Sequence, residues 1–142
     1  GYWIGKEAIR LSLFEIEKKS RIEEGSLFDQ ILKEIQASDW NGIKTFVYSK
    51  DRAEIAALSK IVDRAAEAGD PEAISILKKA ASHLGELVNR TDGVLVRKSL
   101  PVKFTGGISG SKILYQELEK YLRMRVSIST VDIALRAAEL AR

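Results

Sequence analysis

The sequence predicts an α/β fold, rich in helix and built around a small, mostly parallel sheet. Three observations carry that expectation. Residues 2–89 hold amphipathic segments of helical period, separated by capping residues, glycine and proline. From about residue 94 the pattern changes to short β-branched runs, VLV, PVKFT and RVSI. Two of those runs flank a helical segment, at a spacing suited to a right-handed parallel β-α-β unit. The sheet is small for so many helices, so it is expected to be incomplete, with further strands lying upstream of this chain.

The first helix is expected over residues 2–19, where Ile4, Ala8, Ile9, Leu11, Leu13, Phe14 and Ile16 cover most of the circumference. A helix apolar on nearly every side usually sits between layers. After the charged SRIEEG loop, a second helix runs over 26–35, with Ser26 as N-cap and Asp29 completing a capping box. SDWNG reads as a turn, in which Gly42 supplies positive φ, and residues 43–48 as a short helix or irregular segment. The third long helix is expected over 52–68, burying Ile55, Leu58, Val62 and Ala65 while Lys60, Asp63, Arg64 and Glu67 face water. Gly69 ends it as the residue after the cap. Asp70 and Pro71, a cap and a first-turn proline, start the next helix at once and carry it to about residue 89. On that helix Ala73, Ile76, Leu77, Ala80, Leu84, Leu87 and Val88 share one side. Beyond Thr91-Asp92-Gly93, residues 94–96 form a short strand and 101–105 a better one, because Val102 and Phe104 alternate with Lys103 and Thr105. Ser109 or Ser111 starts a helix through Tyr121, residues 125–128 return as a strand, and Ser129-Thr130-Val131-Asp132 opens a final helix.

Length and composition narrow the function classes. A chain of 142 residues is one domain with room for a core. Hydrophobic content of 45% and charged content of 30% are those of a globular protein. The net charge of +3 comes from interleaved acids and bases, without the basic stripe of a nucleic-acid binder. The absence of cysteine excludes disulfides and thiolate-bound metals within the chain and fits a cytoplasmic setting. No apolar run approaches the ~20 residues of a membrane-spanning helix, so no membrane role is expected. The sequence begins without an initiator Met, directly in a helix-forming segment, and reads as a piece of something longer.

The chemistry-bearing candidate is Gly106-Gly107-Ile108-Ser109-Gly110-Ser111. It sits at the carboxyl end of an expected parallel strand, where open α/β sheets bind ligands. Two adjacent glycines let a planar or phosphorylated ligand reach the main chain, and the following helix aims N–H groups and its positive dipole end at the same place. The simpler alternative is a tight strand-to-helix turn with Ser111 as cap. The stretch is neither a Walker A loop nor a dinucleotide fingerprint. A second feature is Ala56, a small residue on the polar side of its helix among Arg52, Ser59, Lys60 and Asp63, where it either fills surface or offers a flat platform to a purine. His83 reads as a surface histidine, Tyr2 and Trp3 as packing aromatics, and Asp70 as a cap rather than a general base.

Gly1-Tyr2-Trp3-Ile4-Gly5-Lys6-Glu7-Ala8, Arg52-Ala53-Glu54-Ile55-Ala56-Ala57-Leu58, Ala68-Gly69-Asp70-Pro71, and Phe104-Thr105-Gly106-Gly107-Ile108 with Ser111 occur in one order. Together they resemble the C-terminal lobe of N-acetylglucosamine kinase-like proteins of the BadF/BadG/BcrA/BcrD ATPase family. That family lies in the superfamily of acetate kinase, sugar kinases, heat-shock ATPases and actin. The resemblance implies the helix-rich half of an actin-like, ribonuclease H-like ATPase lobe, spanning residues 1–142 as a single domain. It assigns Gly106, Gly107, Ile108 and Ser111 to the adenosine and α-phosphate, with Ala56 flanking the adenine from the opposite wall. It departs from the family at the last helix, which usually begins with proline and a Gly-Ala pair, not with Ser129-Thr130-Val131-Asp132-Ile133-Ala134.

What the resemblance implies for function is an ATP-dependent carbohydrate kinase that uses ATP and Mg²⁺ and acts on N-acetylglucosamine or a related sugar. The first phosphate loop, the catalytic aspartate, the second phosphate hairpin and the sugar contacts belong to parts absent from this chain, which alone is expected to be inactive. Its partners are then ATP or ADP, a sugar, the N-terminal lobe and, in one arrangement, a second copy as a homodimer. An activator ATPase that couples hydrolysis to a partner enzyme is the first alternative, weakened by the lack of cysteine for a cluster. A helical interaction module without a nucleotide site is the second.

Overall fold

A computed structural model describes residues 1–18, 21–94, 102–105, 107–122 and 126–128, with the backbone alone at 92, 94, 102, 108 and 126–128. In chain order the elements are α1 (Tyr2–Glu17), α2 (Leu27–Glu34), α3 (Trp40–Ser49), α4 (Arg52–Ala57), α5 (Ser59–Glu67), α6 (Pro71–Val94), β1 (Val102–Phe104), a 3₁₀ turn (Gly107–Gly110), α7 (Lys112–Glu119) and β2 (Val126–Ile128). They fall into two compact units, Gly1–Leu77 and Lys78–Arg142, the boundary lying within α6.

In the first unit α1 is the central helix, packed by α2, α3, α4 and α5. This fits a helix with apolar residues on most sides, but the face it buries contains small residues. Ile4, Gly5, Ala8, Ile9 and Ser12 are buried, whereas Phe14 is 45% exposed. Ser12 reaches zero exposure because its hydroxyl donates to the Ala8 carbonyl at 2.9 Å, so no polar atom is left unpaired. Gly5 is the closest point of helix contact. A Cβ there would overlap the backbone carbonyl oxygen of Ile55 in α4.

Four expectations change in this unit. The single helix expected over 52–68 is two, α4 and α5, divided at Leu58, where Leu58 N–H bonds the Ile55 carbonyl three residues back. The buried stripe is nevertheless the expected one, since Ile55, Leu58, Val62 and Ala65 are all buried. SDWNG is not a turn but the start of α3. Asp39 caps that helix by accepting the Gly42 N–H at 2.8 Å, and Gly42 has no positive φ. Its missing side chain serves packing instead, because a Cβ on Gly42 would stand 2.9 Å from that of Ala37. The capping box of α2 is also altered. Ser26 accepts the Asp29 N–H at 3.3 Å, but the Asp29 carboxylate takes the Gly25 N–H at 2.8 Å rather than that of Ser26. Gly69 stands at φ +94 as expected, and the Asp70 carboxylate accepts the Glu72 and Ala73 N–H groups, each at 3.0 Å.

In the second unit α6 continues to Val94, so 91–93 is helical rather than a turn. Its buried side there turns toward Gly85, and Leu87, expected inside, is 62% exposed. The cause is local. Tyr121 lies so close to Gly85 that any Cβ on the glycine would overlap that of Tyr121, and Asn89 Nδ2 donates to the Tyr121 carbonyl at 2.8 Å. β1 and β2 pair in parallel, Val102 opposite Val126 and Phe104 opposite Ile128, with α7 between them in sequence. That is the strand-helix-strand unit read from the sequence. The strand expected at 94–96 begins on helical Val94 and otherwise lies outside the described residues, as does the helix expected from Ser129.

Candidate functional site

The glycine turn follows directly from β1. Phe104 ends the strand, Gly107–Gly110 make one 3₁₀ turn, and Ser111 caps α7 by accepting the Leu114 N–H at 3.2 Å. The 3₁₀ turn between glycine and helix was not anticipated; it places Ser111, not Ser109, at the helix start. Ser111 is itself buried at 8% exposure, unlike the caps Asp39 and Asp51, which are exposed.

Gly107 is exposed, has no positive φ, and among the described residues a Cβ built on it would meet no atom within 4 Å. The same holds for the Cβ of Gly110. Among the described residues, neither backbone conformation nor packing calls for glycine at these two positions. Compare Gly5 and Gly85, where neighbouring atoms forbid a side chain, and Gly25 and Gly69, where φ does. Gly106 and the side chain of Ile108 lie outside the described residues.

Ala56 belongs to the first unit. It is half-buried on α4, its carbonyl accepts the Ser59 hydroxyl at 2.7 Å, and its methyl lies against Gly1, where an added Cβ would come within 3.3 Å of it. Thus Gly1, the first glycine of GYWIG, packs against Ala56 and Ser59 with little room for a side chain of its own. One helical turn earlier Arg52 is exposed, its guanidinium 4.4 Å from the centre of the Tyr2 ring. This contact was not read from the sequence. The signal was the pairing of an aromatic at the second position of GYWIG with an arginine opening the RAEIAAL helix.

The remaining candidates take ordinary roles. Asp70 is a cap, and His83 is exposed on α6. The first unit also holds a pocket of about 320 Å³ behind α4, lined by Ile35, Gln36, Phe46, Lys50, Glu54 and Leu58 among others, to which Ala56 does not contribute. Among the described residues no three His, Asp or Glu side chains gather closely enough to hold a metal ion. No described helix is long and apolar enough to cross a membrane.

The architecture is helix-rich α/β, with a glycine turn after the carboxyl end of a parallel strand, the position at which open α/β sheets commonly bind ligands. Residues 1–139 match the BadF/BadG/BcrA/BcrD ATPase family, and the chain belongs to that family. Over its whole length it is similar, at 30% identity, to an N-acetylmuramic acid/N-acetylglucosamine kinase of Clostridium acetobutylicum, covering 49% of that protein. It also resembles a crystal structure of a proposed N-acetylglucosamine kinase from Chromobacterium violaceum. There the TM-score is 0.70 and the identity 25%, over 99% of this chain and 46% of the other. The chain therefore spans about half the length of these relatives.

Proposed function

We propose that the parent protein is an ATP-dependent kinase of N-acetylglucosamine or a related amino sugar or hexose, and that residues 1–142 form its C-terminal, nucleotide-side lobe. The observation that carries this reading is Gly107. An exposed glycine at the end of a parallel strand, required among the described residues by neither φ nor packing, leaves room for a ligand against the main chain. It occurs in a chain of an ATPase family with kinase relatives.

Bound ATP, as its Mg²⁺ complex, supplies the phosphoryl group passed to a sugar hydroxyl, a reaction that depends on positioning and charge stabilisation. This chain's residues hold the adenosine end. Gly106 and Gly107 let the nucleotide approach the backbone, Ile108 follows in the same turn, and Ser111 keeps the first turn of α7 formed where its positive dipole end can face phosphate. Ala56, free of bulk, takes the adenine. Mg²⁺ is then held by the nucleotide's phosphates and by groups of the other lobe. The catalytic base and the sugar contacts also come from that lobe, so the isolated chain turns nothing over. The reading places the protein in the cytoplasm.

The test is sugar-dependent ADP release by the parent protein with ATP, Mg²⁺ and a panel of amino sugars and hexoses. One ADP per sugar phosphate supports the proposal. Release that ignores sugar points to an activator ATPase, and failure to bind ATP or ADP leaves only an interaction module.

A further inference from the structure

Arg52 is a cation at a helix start. It is the first residue of α4, where the positive end of the helix dipole disfavours a cation. The two carboxylates nearest in sequence are already engaged. Asp51 Oδ1 accepts the Glu54 N–H at 2.9 Å, while Glu54 takes the Asp51 N–H at 3.1 Å and Lys50 Nζ at 2.7 Å. Among the described residues no carboxylate forms an ion pair with Arg52, although Arg10, Lys18, Lys33, Lys50, Arg90 and Lys120 each have one. What holds Arg52 is the Tyr2 ring, 4.4 Å from the guanidinium carbon. The ring face restrains the guanidinium without a carboxylate and leaves its N–H donors free of an ion pair among the described residues. The result is an exposed cation held at an aromatic face.

Its position gives it a partner. Arg52 and Ala56 are four residues apart on one helix, so they share a face, with Cβ atoms about 6 Å apart. A nucleobase lying on Ala56 would therefore have the guanidinium of Arg52 one turn away on the same helix face. We infer that Arg52 is a nucleotide-contacting residue that recognises the phosphate group nearest the ribose, and that Tyr2 is the positioning residue that holds it. This rests on the proposal that adenine lies against Ala56.

The experiment is calorimetric titration of the parent protein with adenosine, ADP and ATP, for the wild type and for Arg52→Ala, Arg52→Lys, Tyr2→Phe and Tyr2→Leu. Arg52→Ala is expected to weaken ADP and ATP about tenfold and adenosine less than twofold, the loss expected of one charge-assisted contact. Arg52→Lys recovers only part of that loss, because a point charge lacks the planar fork. Tyr2→Phe keeps the ring and binds like the wild type, whereas Tyr2→Leu weakens ADP about threefold with adenosine unchanged. Added salt should shrink the difference between ADP and adenosine in the wild type and not in Arg52→Ala. Unchanged ADP affinity in a folded Arg52→Ala overturns the inference while leaving the kinase reading in place, and so does an equal loss for adenosine and ADP. A parent protein that binds no adenine nucleotide overturns both.

Discussion

The Oδ2 atom of Asp70 accepts the backbone N–H of Leu27 at 2.9 Å, although 43 positions separate the two residues. The other oxygen, Oδ1, accepts the N–H groups of Glu72 and Ala73. One carboxylate therefore closes the first turn of α6 and satisfies the first residue of α2. The Gly69-Asp70-Pro71 junction thus ties two helix starts together rather than merely ending one helix and beginning the next.

Removing that carboxylate is expected to cost two caps at once. Asp70→Ala should lower stability by about 2–4 kcal/mol, from roughly 1 kcal/mol per cap and the stranding of the Leu27 donor. Asp70→Asn keeps one acceptor oxygen and presents an amide to the other donor, so it should lose about half as much. Urea denaturation of the three proteins checks the order. If Asp70→Ala were as stable as the wild type, the shared cap would carry no weight.

The contact between Gly5 and the Ile55 carbonyl admits no side chain. Gly5→Ala must push α1 and α4 apart, and the expected loss is about 1–3 kcal/mol, the range for overpacking a core. Gly93 is the counter-example on α6, with nothing among the described residues within 4 Å of an added Cβ. There Gly93→Ala should raise stability by about 0.5–1 kcal/mol through helix propensity alone. Thermal unfolding should separate the two substitutions by sign.

Two helix ends in the first unit close the same way with different residues. Gly69 N–H bonds the Ala66 carbonyl and Asp70 N–H that of Ala65; Gln36 N–H bonds the Lys33 carbonyl and Ala37 N–H that of Leu32. Gly69 adopts φ +94 without strain, but Gln36 is held at φ 54, the only non-glycine with positive φ among the described residues. Gln36→Gly should stabilise by about 0.5–1 kcal/mol, the left-handed strain of about 1–2 kcal/mol less the added entropy of the unfolded glycine. A denaturation midpoint that fails to rise would place the strain elsewhere.

Because Gly107 is demanded by neither packing nor φ among the described residues, Gly107→Val is expected to fold as the wild type does. Under the proposed function it should weaken ATP and ADP binding by the parent protein well over tenfold, since the added branches fill the ligand's approach. Circular dichroism together with nucleotide titration reads both halves. Full affinity in the folded variant retires the adenosine assignment of this turn.

Acid should weaken the first unit through two carboxylates. The hydrogen bond from Lys50, and then that from the Asp51 N–H, hold the Glu54 carboxyl below its ordinary 4.5. Lys33 and then the Gly25 N–H hold Asp29 below its ordinary 3.8. A carboxyl lowered by folding contributes stability that is complete above its unfolded value and disappears as the pH falls through the folded one. The Tm should therefore decline as pH drops from about 5 to 3. Asp29→Asn combined with Glu54→Gln should give a flatter Tm profile over that window; an identical profile would remove these two groups from the account.

What the sequence by itself determined is the set of features written in local chemistry. Ser26, Gly69 and Asp70 mark helix ends through bonds that span a few residues and Pro71 through its fixed φ, all four in the expected places, and Ser111 is one of the two starts expected for α7. The β1 and β2 runs were legible because β-branched residues alternate, and the stripe Ile55, Leu58, Val62, Ala65 because its period is helical. The glycine turn was visible as well, as a side-chain-free stretch ahead of a helix. What only the tertiary structure decided is which partner each residue meets. Gly42 was misread because glycine's two uses, positive φ and close approach, look the same in a sequence, and only the position of Ala37 separates them. Nothing local to Asp70 reveals that Leu27 arrives at its second oxygen, or that Ile55 arrives against Gly5. Leu87 has the period of a core residue and is exposed, because Tyr121 selects Gly85 instead. Arg52 and Tyr2 are unremarkable separately, and only the packing of α4 on α1 makes them a pair. Short-range hydrogen bonding is encoded in neighbouring residues, whereas contacts between helices depend on how distant segments fill one another's gaps.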